Sequence, residues 1–235
     1  IKQFPHGGLF IKMGIDIKNH NETVKNYIKA QESFNKKDAV QFLKTHSYLF
    51  NFNKENAFTD FNNTLGVIYI VRDPRNVVTS FSKYRGLTNE EIVDFMITGS
   101  GDGLTWTNNW ASNFHSWKLF KEHERYLLIK YEDLINKPEL TFLNILNFIH
   151  KITKSKLVLG KEKFNNTIQT TSFKNMQKLE RENGFSEAGI NERTGEKVPF
   201  FNLGPKNDWR QSLDPEIIQK IEKAFKKEME ELGYL

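Results

Sequence analysis

The alternation of apolar and polar segments along the chain predicts strands separated by helices. The clearest strand is Val67–Val71, a short β-branched run that is typical of a strand buried on both faces. The run stops at a turn in which Asp73 is a favourable N-cap and Pro74 suits the first helical position. Apolar residues then recur at helical spacing, at Val77, Val78, Phe81 and Tyr84. The segment therefore predicts a buried strand, a sharp turn and an amphipathic helix.

The same patterns predict further elements on both sides of this unit. Two more strands are expected, over residues 38–44 and 126–130. Helices are expected over residues 21–33, 54–61, 89–97, 104–124, 139–150, 155–167, 172–182 and 215–232. Asn21 and Asp214 are the expected caps of the first and last helix. Residues 1–20, 99–103 and 183–206 are expected to be irregular, because glycine and proline interrupt them.

Four aromatic residues fall on one face of the predicted helix 104–124. They are spaced near i, i+4, i+8 and i+11, at Trp106, Trp110, Phe114 and Trp117. Such a stripe indicates a face packed into the core, rather than a surface that stacks on a ligand. Strands that alternate with helices predict an α/β fold with a parallel sheet, and the length suits one domain over residues 1–235.

The turn after the central strand has the features of an anion site. The helix N-terminus points to the carboxyl edge of the predicted sheet, where α/β proteins bind anions. Arg72 ends the strand, and Ser80 lies on the helix. A fixed cation, a hydroxyl and a helix dipole together suit a phosphate. In the alternative interpretation, Arg72 pairs with Asp73 or another carboxylate and ties the strand to the helix.

Composition narrows the possible functions. The net charge of +5 suits a polyanionic ligand, but the lysines are dispersed among nearly as many acidic residues, so nucleic acid is not indicated. The chain has no cysteine, which excludes a disulfide scaffold, a thiolate metal site and a cysteine nucleophile. This usage fits a reducing compartment, and we predict a cytoplasmic location. No apolar run is as long as a membrane-spanning helix, so we expect no membrane-spanning segment.

A second candidate site follows the predicted strand 38–44. Lys44, Thr45 and His46 stand at its carboxyl end, where the sheet of an α/β protein carries its chemistry. A histidine titrates near neutral pH and can take a proton from a hydroxyl group. A lysine two residues away can neutralise charge on a leaving oxygen. The alternative is a polar strand end without a catalytic role.

Residues 69–81, Tyr-Ile-Val-Arg-Asp-Pro-Arg-Asn-Val-Val-Thr-Ser-Phe, resemble the 3′-phosphate-binding segment of sulfotransferases that use 3′-phosphoadenosine 5′-phosphosulfate (PAPS). In that family an Arg and a Ser of this segment hold the 3′-phosphate, and they match Arg72 and Ser80. The Lys-Thr-His triplet is similar to the family's triplet that carries the catalytic histidine. The resemblance therefore implies that His46 is the general base and that Lys44 is the basic residue beside it.

Three later segments also resemble the family. Tyr131 matches the tyrosine that contacts the nucleotide after a strand, although a half-buried core tyrosine is the alternative. The run Thr171-Ser172-Phe173, followed by Met176, is similar to the family's Thr-Ser-Phe-x-x-Met segment, which borders the adenine. Residues 200–210 resemble the C-terminal Gly-x-x-Gly-Asp-Trp region of the family. The last match implies cofactor-binding roles for Gly204 and Lys206.

The chain departs from the family pattern in two places. Asn202-Leu203-Gly204 stands where the family has Arg-Lys-Gly, and Asn207 replaces the second glycine. The positive charge that is lost with Arg-Lys could be supplied by Lys206, Arg193 or Lys197. The alternative for each is a solvated loop residue. The family's N-terminal phosphosulfate loop, a Pro-Lys-Ser-Gly-Thr-Thr-Trp-like run, is missing. We expect the first strand, this loop and the first helix to lie upstream of Ile1; a degenerate member is the alternative.

The resemblance implies a P-loop NTPase-like sulfotransferase fold, with a three-layer parallel sheet flanked by helices and an incomplete N-terminus. It implies an enzyme that moves a sulfuryl group from PAPS to a hydroxyl or amine of a small-molecule or glycan acceptor. The product nucleotide would be adenosine 3′,5′-bisphosphate, and no metal is required. Two alternatives remain: an inactive member that only binds the bisphosphate or another polyanion, and a P-loop nucleotide kinase. The kinase would need a Walker loop and a carboxylate for Mg²⁺.

Overall fold

The computed structural model describes residues 1–34, 39–52, 56–99, 101–102 and 104–235. Its strands, in chain order, are β1 Lys2–Gln3, β2 Leu43–Lys44, β3 Asn51–Phe52, β4 Asn56–Ala57, β5 Val67–Val71, β6 Gly101–Asp102, β7 Thr105–Trp106, β8 Tyr126–Lys130, β9 Gly189–Ile190 and β10 Lys197–Val198.

The helices precede, separate and follow these strands. They are α1 Gly7–Lys12, α2 His20–Lys25, α3 Tyr27–Glu32, α4 Pro74–Arg85, α5 Asn89–Thr98, α6 Trp110–Trp117, α7 Tyr131–Asn136, α8 Pro138–Thr153, α9 Lys161–Thr170, α10 Phe173–Asn183, α11 Pro215–Ala224 and α12 Lys226–Leu232. Short 3₁₀ turns cover Lys118–Lys121, Gly204–Lys206 and Trp209–Gln211.

The strands pair in twos. β1 and β2 are parallel, with Lys2 opposite Leu43 and Gln3 opposite Lys44. The pairs β3–β4, β6–β7 and β9–β10 are antiparallel, and β5 pairs with β8. Over the described ranges, a sheet of more than two strands is not found. Several strands have only two residues, so their sequences are too short to show a period of two.

The chain divides into two compact units. The first contains Ile1–Tyr69 and Met96–Leu127, and the second contains Ile70–Phe95 and Leu128–Leu235. The single domain over residues 1–235 stays a prediction.

The first unit is built around an aromatic core. Tyr27 is fully buried, and its hydroxyl donates a hydrogen bond to the Leu104 carbonyl at 2.6 Å. The rings that pack around Tyr27 include Phe4, Phe10, Phe50 and Phe58, with centroids 5.3–6.0 Å from it. This core holds the ends of β1 and β2 in place, because Phe4 follows β1 directly and its N–H donates to the Lys44 carbonyl at 2.8 Å.

The strand–turn–helix segment that the sequence predicted is present, with its turn and helix in the second unit. The predictions of strands over residues 67–71 and 126–130 are confirmed at their printed bounds. The predicted cap is also confirmed, since the Asp73 side chain accepts from the Arg75 N–H at 2.9 Å and Pro74 begins α4. Helix α4 buries Val78 and contacts α11. The burial of β5 differs from the expectation, because Ile70 is 58% exposed and only Val71 is buried.

The predicted long helix over residues 104–124 is wrong. Residues Thr105–Trp106 form β7, and Asn108 then adopts a left-handed conformation with φ of 56°. Helix α6 begins only after Asn109, whose side chain caps it by accepting from the Ser112 N–H at 2.7 Å. The cap explains the late start, because asparagine satisfies orphan N–H groups at a helix end. Of the predicted stripe, Phe114 and Trp117 are buried in α6 and Trp106 lies in β7.

The N-terminal predictions also need correction. Residues 1–20 contain β1 and α1, and the expected helix 21–33 is divided into α2 and α3 at Asn26. Asn19, not Asn21, is the cap, since its side chain accepts from the Glu22 N–H. The strand expected over 38–44 is reduced to β2, and the helix expected over 54–61 is replaced by β4 and a loop. Parts of these predictions lie outside the described residues, at Asp38, Lys54 and Glu55.

Four predictions about loops and later helices need correction. The break at 99–103 includes β6, and Ser100 and Gly103 lie outside the described residues. Lys154 has a φ of 53° and ends α8, so the helix expected at 155–167 begins only at Lys161. The loop over 183–206 contains the β9–β10 hairpin. The closing helix breaks at Phe225 into α11 and α12, and Asp214 precedes it without a side-chain cap bond.

Candidate functional site

Arg72 stands at the junction between β5 and α4. Its guanidinium carbon lies 4.3 Å from the centre of the Tyr131 ring, and its Nη2 donates a long hydrogen bond of 3.4 Å to the Gly204 carbonyl. The Nε atom of Arg72 is buried and has no hydrogen-bond partner. Burial lowers the pKa of Arg72 from its usual value, and the charges of Tyr131 and Glu132 oppose that shift. A buried guanidinium N–H without a partner is costly, so this position is suited to a bound anion.

The alternative, in which Arg72 pairs with a carboxylate, does not describe this structure. In the described part of the chain Arg72 forms no ion pair. Asp73 is bound instead by Arg75, with 2.8 Å between Nη2 and Oδ2. Arg75 also donates to Glu222 at 2.6 Å and to the Tyr234 carbonyl at 2.8 Å. The acid of the turn is therefore neutralised by a different arginine, and Arg72 has no ion pair among the described residues.

Glu132 connects the ends of β5 and β8. Its Oε1 accepts from the Asp73 N–H at 3.2 Å, and its Oε2 accepts from the Tyr234 hydroxyl at 3.0 Å. Tyr131, which begins α7, is half-buried. Burial raises the pKa of Tyr131 and the Arg72 charge lowers it, so the tyrosine presents a neutral ring to the guanidinium. The tyrosine predicted to contact a nucleotide thus contacts the arginine predicted to bind its phosphate.

The loop over residues 200–207 completes the surroundings of Arg72. Gly204 has a φ of 51°, and a Cβ at this position would overlap the Phe173 ring. Only glycine fits here, because the conformation and the space both exclude a side chain. Glu180 holds the loop by accepting from the N–H groups of Phe200 and Phe201, at 2.7 and 2.9 Å. The structure therefore brings Phe173, Gly204, Arg72 and Tyr131 together, as a candidate site in the second unit.

The other predicted cofactor-binding residues lie at the surface. Ser80, Thr171, Ser172 and Lys206 are exposed. Thr171 donates its hydroxyl to the Thr167 carbonyl at 2.7 Å. Among the proposed replacement cations, Arg193 forms an exposed ion pair with Glu91 at 2.8 Å, whereas Lys206 and Lys197 are exposed.

In the first unit, the Lys-Thr-His segment stands at the carboxyl end of β2, as predicted. Lys44 is the last residue of β2, and Thr45 Oγ1 accepts from the Ser47 N–H at 3.0 Å. The His46 carbonyl accepts from Asn113 Nδ2 at 3.1 Å. Asn113 is in turn fixed by its Oδ1, which accepts from the Tyr69 hydroxyl at 3.0 Å.

Ser47 anchors the other side of His46. The side chain of Ser47 is buried, and its Oγ accepts from the Trp106 N–H at 3.2 Å. Its carbonyl accepts from Trp117 Nε1 at 3.0 Å. These bonds fix the backbone on both sides of His46, while the imidazole is exposed. His46 is therefore an exposed residue on a backbone that is fixed on both sides.

Sequence reasoning missed the contacts of Asn76, Arg75 and Asn207 that organise the candidate site around Arg72. Asn76 Oδ1 accepts from the Trp209 N–H at 3.0 Å, and Arg75 lies over the Trp209 ring at 4.0 Å. Asn207 is buried and bonded to α4. The departure at Asn207 was visible in the sequence, but its partners lie far away in the chain.

Two possible features are not found in the described ranges. No group of three or more His, Cys, Asp or Glu side chains is arranged to hold a metal ion there. Over the same ranges, no helix combines the length and the apolar character needed to cross a bilayer.

Comparison with known proteins places these sites in context. The family model described as "Sulfotransferase domain" matches residues 11–233. Sulfotransferase 2A1 of Macaca fascicularis is 24% identical over 176 residues, which cover 73% of this chain and 59% of that protein. An amine sulfotransferase of Oryctolagus cuniculus is 23% identical over 180 residues, covering 72% of this chain and 56% of that protein.

A solved structure resembles the chain over most of its length. Mouse sulfotransferase SULT7A1 complexed with PAP has a TM-score of 0.62 and 18% identity, and the match covers 85% of this chain and 69% of that one. This similarity confirms the predicted α/β fold. The chain spans less than two thirds of the length of the two curated relatives described above.

Proposed function

The chain belongs to the sulfotransferase domain family, and from this premise we propose that it transfers a sulfuryl group from PAPS to a hydroxyl or amine acceptor. The observation that carries the proposal is the state of Arg72. Its Nε is buried without a partner, its ring neighbour is Tyr131, and the nearby acid is bound by Arg75. A charge-assisted contact to the 3′-phosphate of the nucleotide would satisfy that donor.

The surroundings of Arg72 suit an adenosine nucleotide. Tyr131 and Phe173 present aromatic surface, and Thr171 and Ser172 present hydroxyl groups at the start of α10. We assign these four residues to the nucleoside. Ser80, Gly204 and Lys206 are assigned to the 3′-phosphate, with Lys206 as the exposed cation of its loop.

The chemistry assigned to the first unit is proton removal. When bound, PAPS supplies the sulfuryl group and a phosphate leaving group. The His46 imidazole takes the proton of the acceptor hydroxyl or amine as that atom forms its bond to sulfur. Lys44 neutralises negative charge that grows on the oxygen from which the sulfuryl group departs. Neither role requires a metal ion, because positioning and charge neutralisation suffice for such a transfer.

The acceptor belongs to a broad class. The name of the rabbit relative specifies an amine, and another relative, from Cavia porcellus, is named for 3-beta-hydroxysteroids. We therefore propose a small molecule with a hydroxyl or amine group as the acceptor, and a glycan hydroxyl falls in the same chemical class. The cytoplasmic location stays a prediction.

A second candidate function has one observation in its favour. Asn202 and Leu203 stand where the family pattern has two cations, and both are neutral. A chain that binds adenosine 3′,5′-bisphosphate without transferring a sulfuryl group would need less charge at this loop.

The proposal is tested first by titration calorimetry with adenosine 3′,5′-bisphosphate and with 5′-AMP as the matched control. We expect the bisphosphate to bind at least tenfold more tightly, because only it carries the group that Arg72 binds. Equal affinities for the two nucleotides would contradict the 3′-phosphate assignment. A turnover assay with PAPS and simple alcohols and amines then separates the enzyme from the binding-only candidate.

A further inference from the structure

The side-chain amide of Asn207 is buried, and both its nitrogen and its oxygen are hydrogen-bonded to residues of α4. Its Nδ2 donates to the Asn76 carbonyl at 2.9 Å, and its Oδ1 accepts from the Thr79 hydroxyl at 2.9 Å. Asn207 is 7% exposed and Thr79 is 2% exposed. Buried polar groups that are fully satisfied specify one arrangement, because any other arrangement leaves a donor or acceptor without a partner.

The same loop reaches Arg72 through the Gly204 carbonyl. That carbonyl accepts from the Asn207 N–H at 3.1 Å and from Arg72 Nη2 at 3.4 Å. One oxygen is thus shared by the residue that anchors the loop and the residue that would bind the ligand. The bond from the Trp209 N–H to Asn76 Oδ1 holds the loop on its other side.

Asn207 and Thr79 therefore form a pair in which Thr79 supplies the donor to Asn207 Oδ1, although the Thr79 hydroxyl also lies 3.1 Å from the Asn76 carbonyl as a second acceptor. A glycine at position 207 would offer no side chain, and an apolar residue at position 79 would leave Oδ1 of Asn207 buried without its donor. The two residues are separated by 128 positions, so the bond joins distant parts of the chain. It fixes the distance between α4, which follows Arg72, and the loop that carries Gly204.

We propose that Asn207 and Thr79 are positioning residues, which hold the Gly204 carbonyl against Arg72 and so pre-orient the guanidinium for the 3′-phosphate. This inference rests on the proposed function. An arginine side chain has many rotamers, and fixing one of them before the ligand arrives removes part of the entropic cost of binding. Loss of the pair is expected to weaken recognition of the 3′-phosphate more than recognition of the rest of the nucleotide.

The first test needs no ligand. Hydrogen exchange of the Arg72 Nε–H is measured by nuclear magnetic resonance in the wild-type chain and in Asn207→Ala and Thr79→Val. We expect exchange to accelerate at least tenfold in both variants, while the amide of Ile129 in β8 reports any global unfolding. Thr79→Ser keeps the hydroxyl, and Asn202→Ala removes an exposed amide of the same loop; both should stay within twofold of the wild type. Unchanged Arg72 exchange in Asn207→Ala and Thr79→Val would overturn the inference.

The second test uses the affinities for adenosine 3′,5′-bisphosphate and 5′-AMP. We expect the ratio of the two affinities to fall at least fivefold in Asn207→Ala and Thr79→Val, with 5′-AMP affinity within twofold of the wild type. If the wild-type chain prefers the bisphosphate to 5′-AMP and the variants keep the same preference, the positioning role alone would be overturned. A wild-type chain that does not discriminate would overturn the proposed function, and the exchange measurement would then decide the positioning role.

Discussion

Arg75 holds the buried carboxylate of Asp73 from within the same turn, with 2.8 Å between its Nη2 and Oδ2. Its Nε also donates to Oδ1 at 3.0 Å, so the pair is bidentate. The strand–turn–helix segment carries two arginines and one acid, and the acid is bound by the second arginine. Arg75 therefore has a structural role. Arg72, in contrast, forms no ion pair with an acidic residue in the described part of the chain.

Replacement of Arg75 is expected to cost stability. Arg75→Ala would leave Asp73 buried and uncompensated, which costs about 3–5 kcal/mol of unfolding free energy for a buried pair. Arg85→Ala is the matched control, because Arg85 pairs with Glu192 at an exposed position, where such pairs contribute less than about 1 kcal/mol. Urea denaturation measures both values. Equal losses in the two variants would show that the Asp73 pair is not structural.

Replacement of Arg72 is expected to cost affinity instead. Arg72→Ala should weaken binding of adenosine 3′,5′-bisphosphate by about 2 kcal/mol or more, close to thirtyfold, since a charge-assisted phosphate contact is lost. Arg181→Ala, which removes an exposed arginine of α10, should leave the affinity unchanged. Calorimetric titration compares the two. An unaltered affinity in Arg72→Ala would exclude this residue from the phosphate site.

His46 is expected to control turnover and not nucleotide binding. His46→Ala should abolish sulfuryl transfer because the acceptor keeps its proton, while the affinity for adenosine 3′,5′-bisphosphate stays within about twofold. His150→Ala is the control, as this histidine bonds Ser155 at the end of α8. A transfer assay with PAPS that carries a radiolabelled sulfuryl group measures the rates. Turnover of His46→Ala within a few-fold of the wild type would remove His46 from the role of base.

Buried tyrosines are expected to make the fold sensitive to high pH. Burial raises the pKa of Tyr27, Tyr69 and Tyr234 above the ordinary value of 10.0, and the Glu132 carboxylate raises that of Tyr234 further. Above pH 10 the unfolded chain releases tyrosine protons that the folded chain retains. The stability is therefore complete below pH 10 and falls as the pH rises, by up to about 1.4 kcal/mol per pH unit for each tyrosine.

Tyr234→Phe tests this dependence at one position. The variant removes one of the raised groups, so its unfolding free energy should fall less steeply than that of the wild type between pH 10 and about pH 11.5. Comparing slopes cancels the contributions of all groups that the two proteins share. Denaturation at a series of pH values gives the slopes. A slope that matches the wild type would mean that Tyr234 titrates normally in the folded chain.

Local patterns predicted the elements that local physics decides. The apolar run Val67–Val71, the Asp73 cap and the Pro74 start each depend on neighbours within a few residues, and all three appear in the structure. The prediction of helix 104–124 was wrong because the apolar spacing outweighed a competing signal. Asn109 caps a helix that starts later than predicted. Strand β7 has too few residues to show the alternation of apolar and polar side chains that predicts a strand.

Local sequence patterns were enough to locate the candidate residues along the chain: Arg72 at a strand end, His46 just after another strand, and Asn207 as a departure from the family pattern. Folding of the whole unit was needed to show that Arg75 also binds Glu222, that Arg72 lies over the Tyr131 ring, and that Asn207 is bonded to Thr79. Distance along the chain explains this difference. Capping and periodicity act between near neighbours, whereas these contacts join residues whose proximity is set by packing of the whole unit.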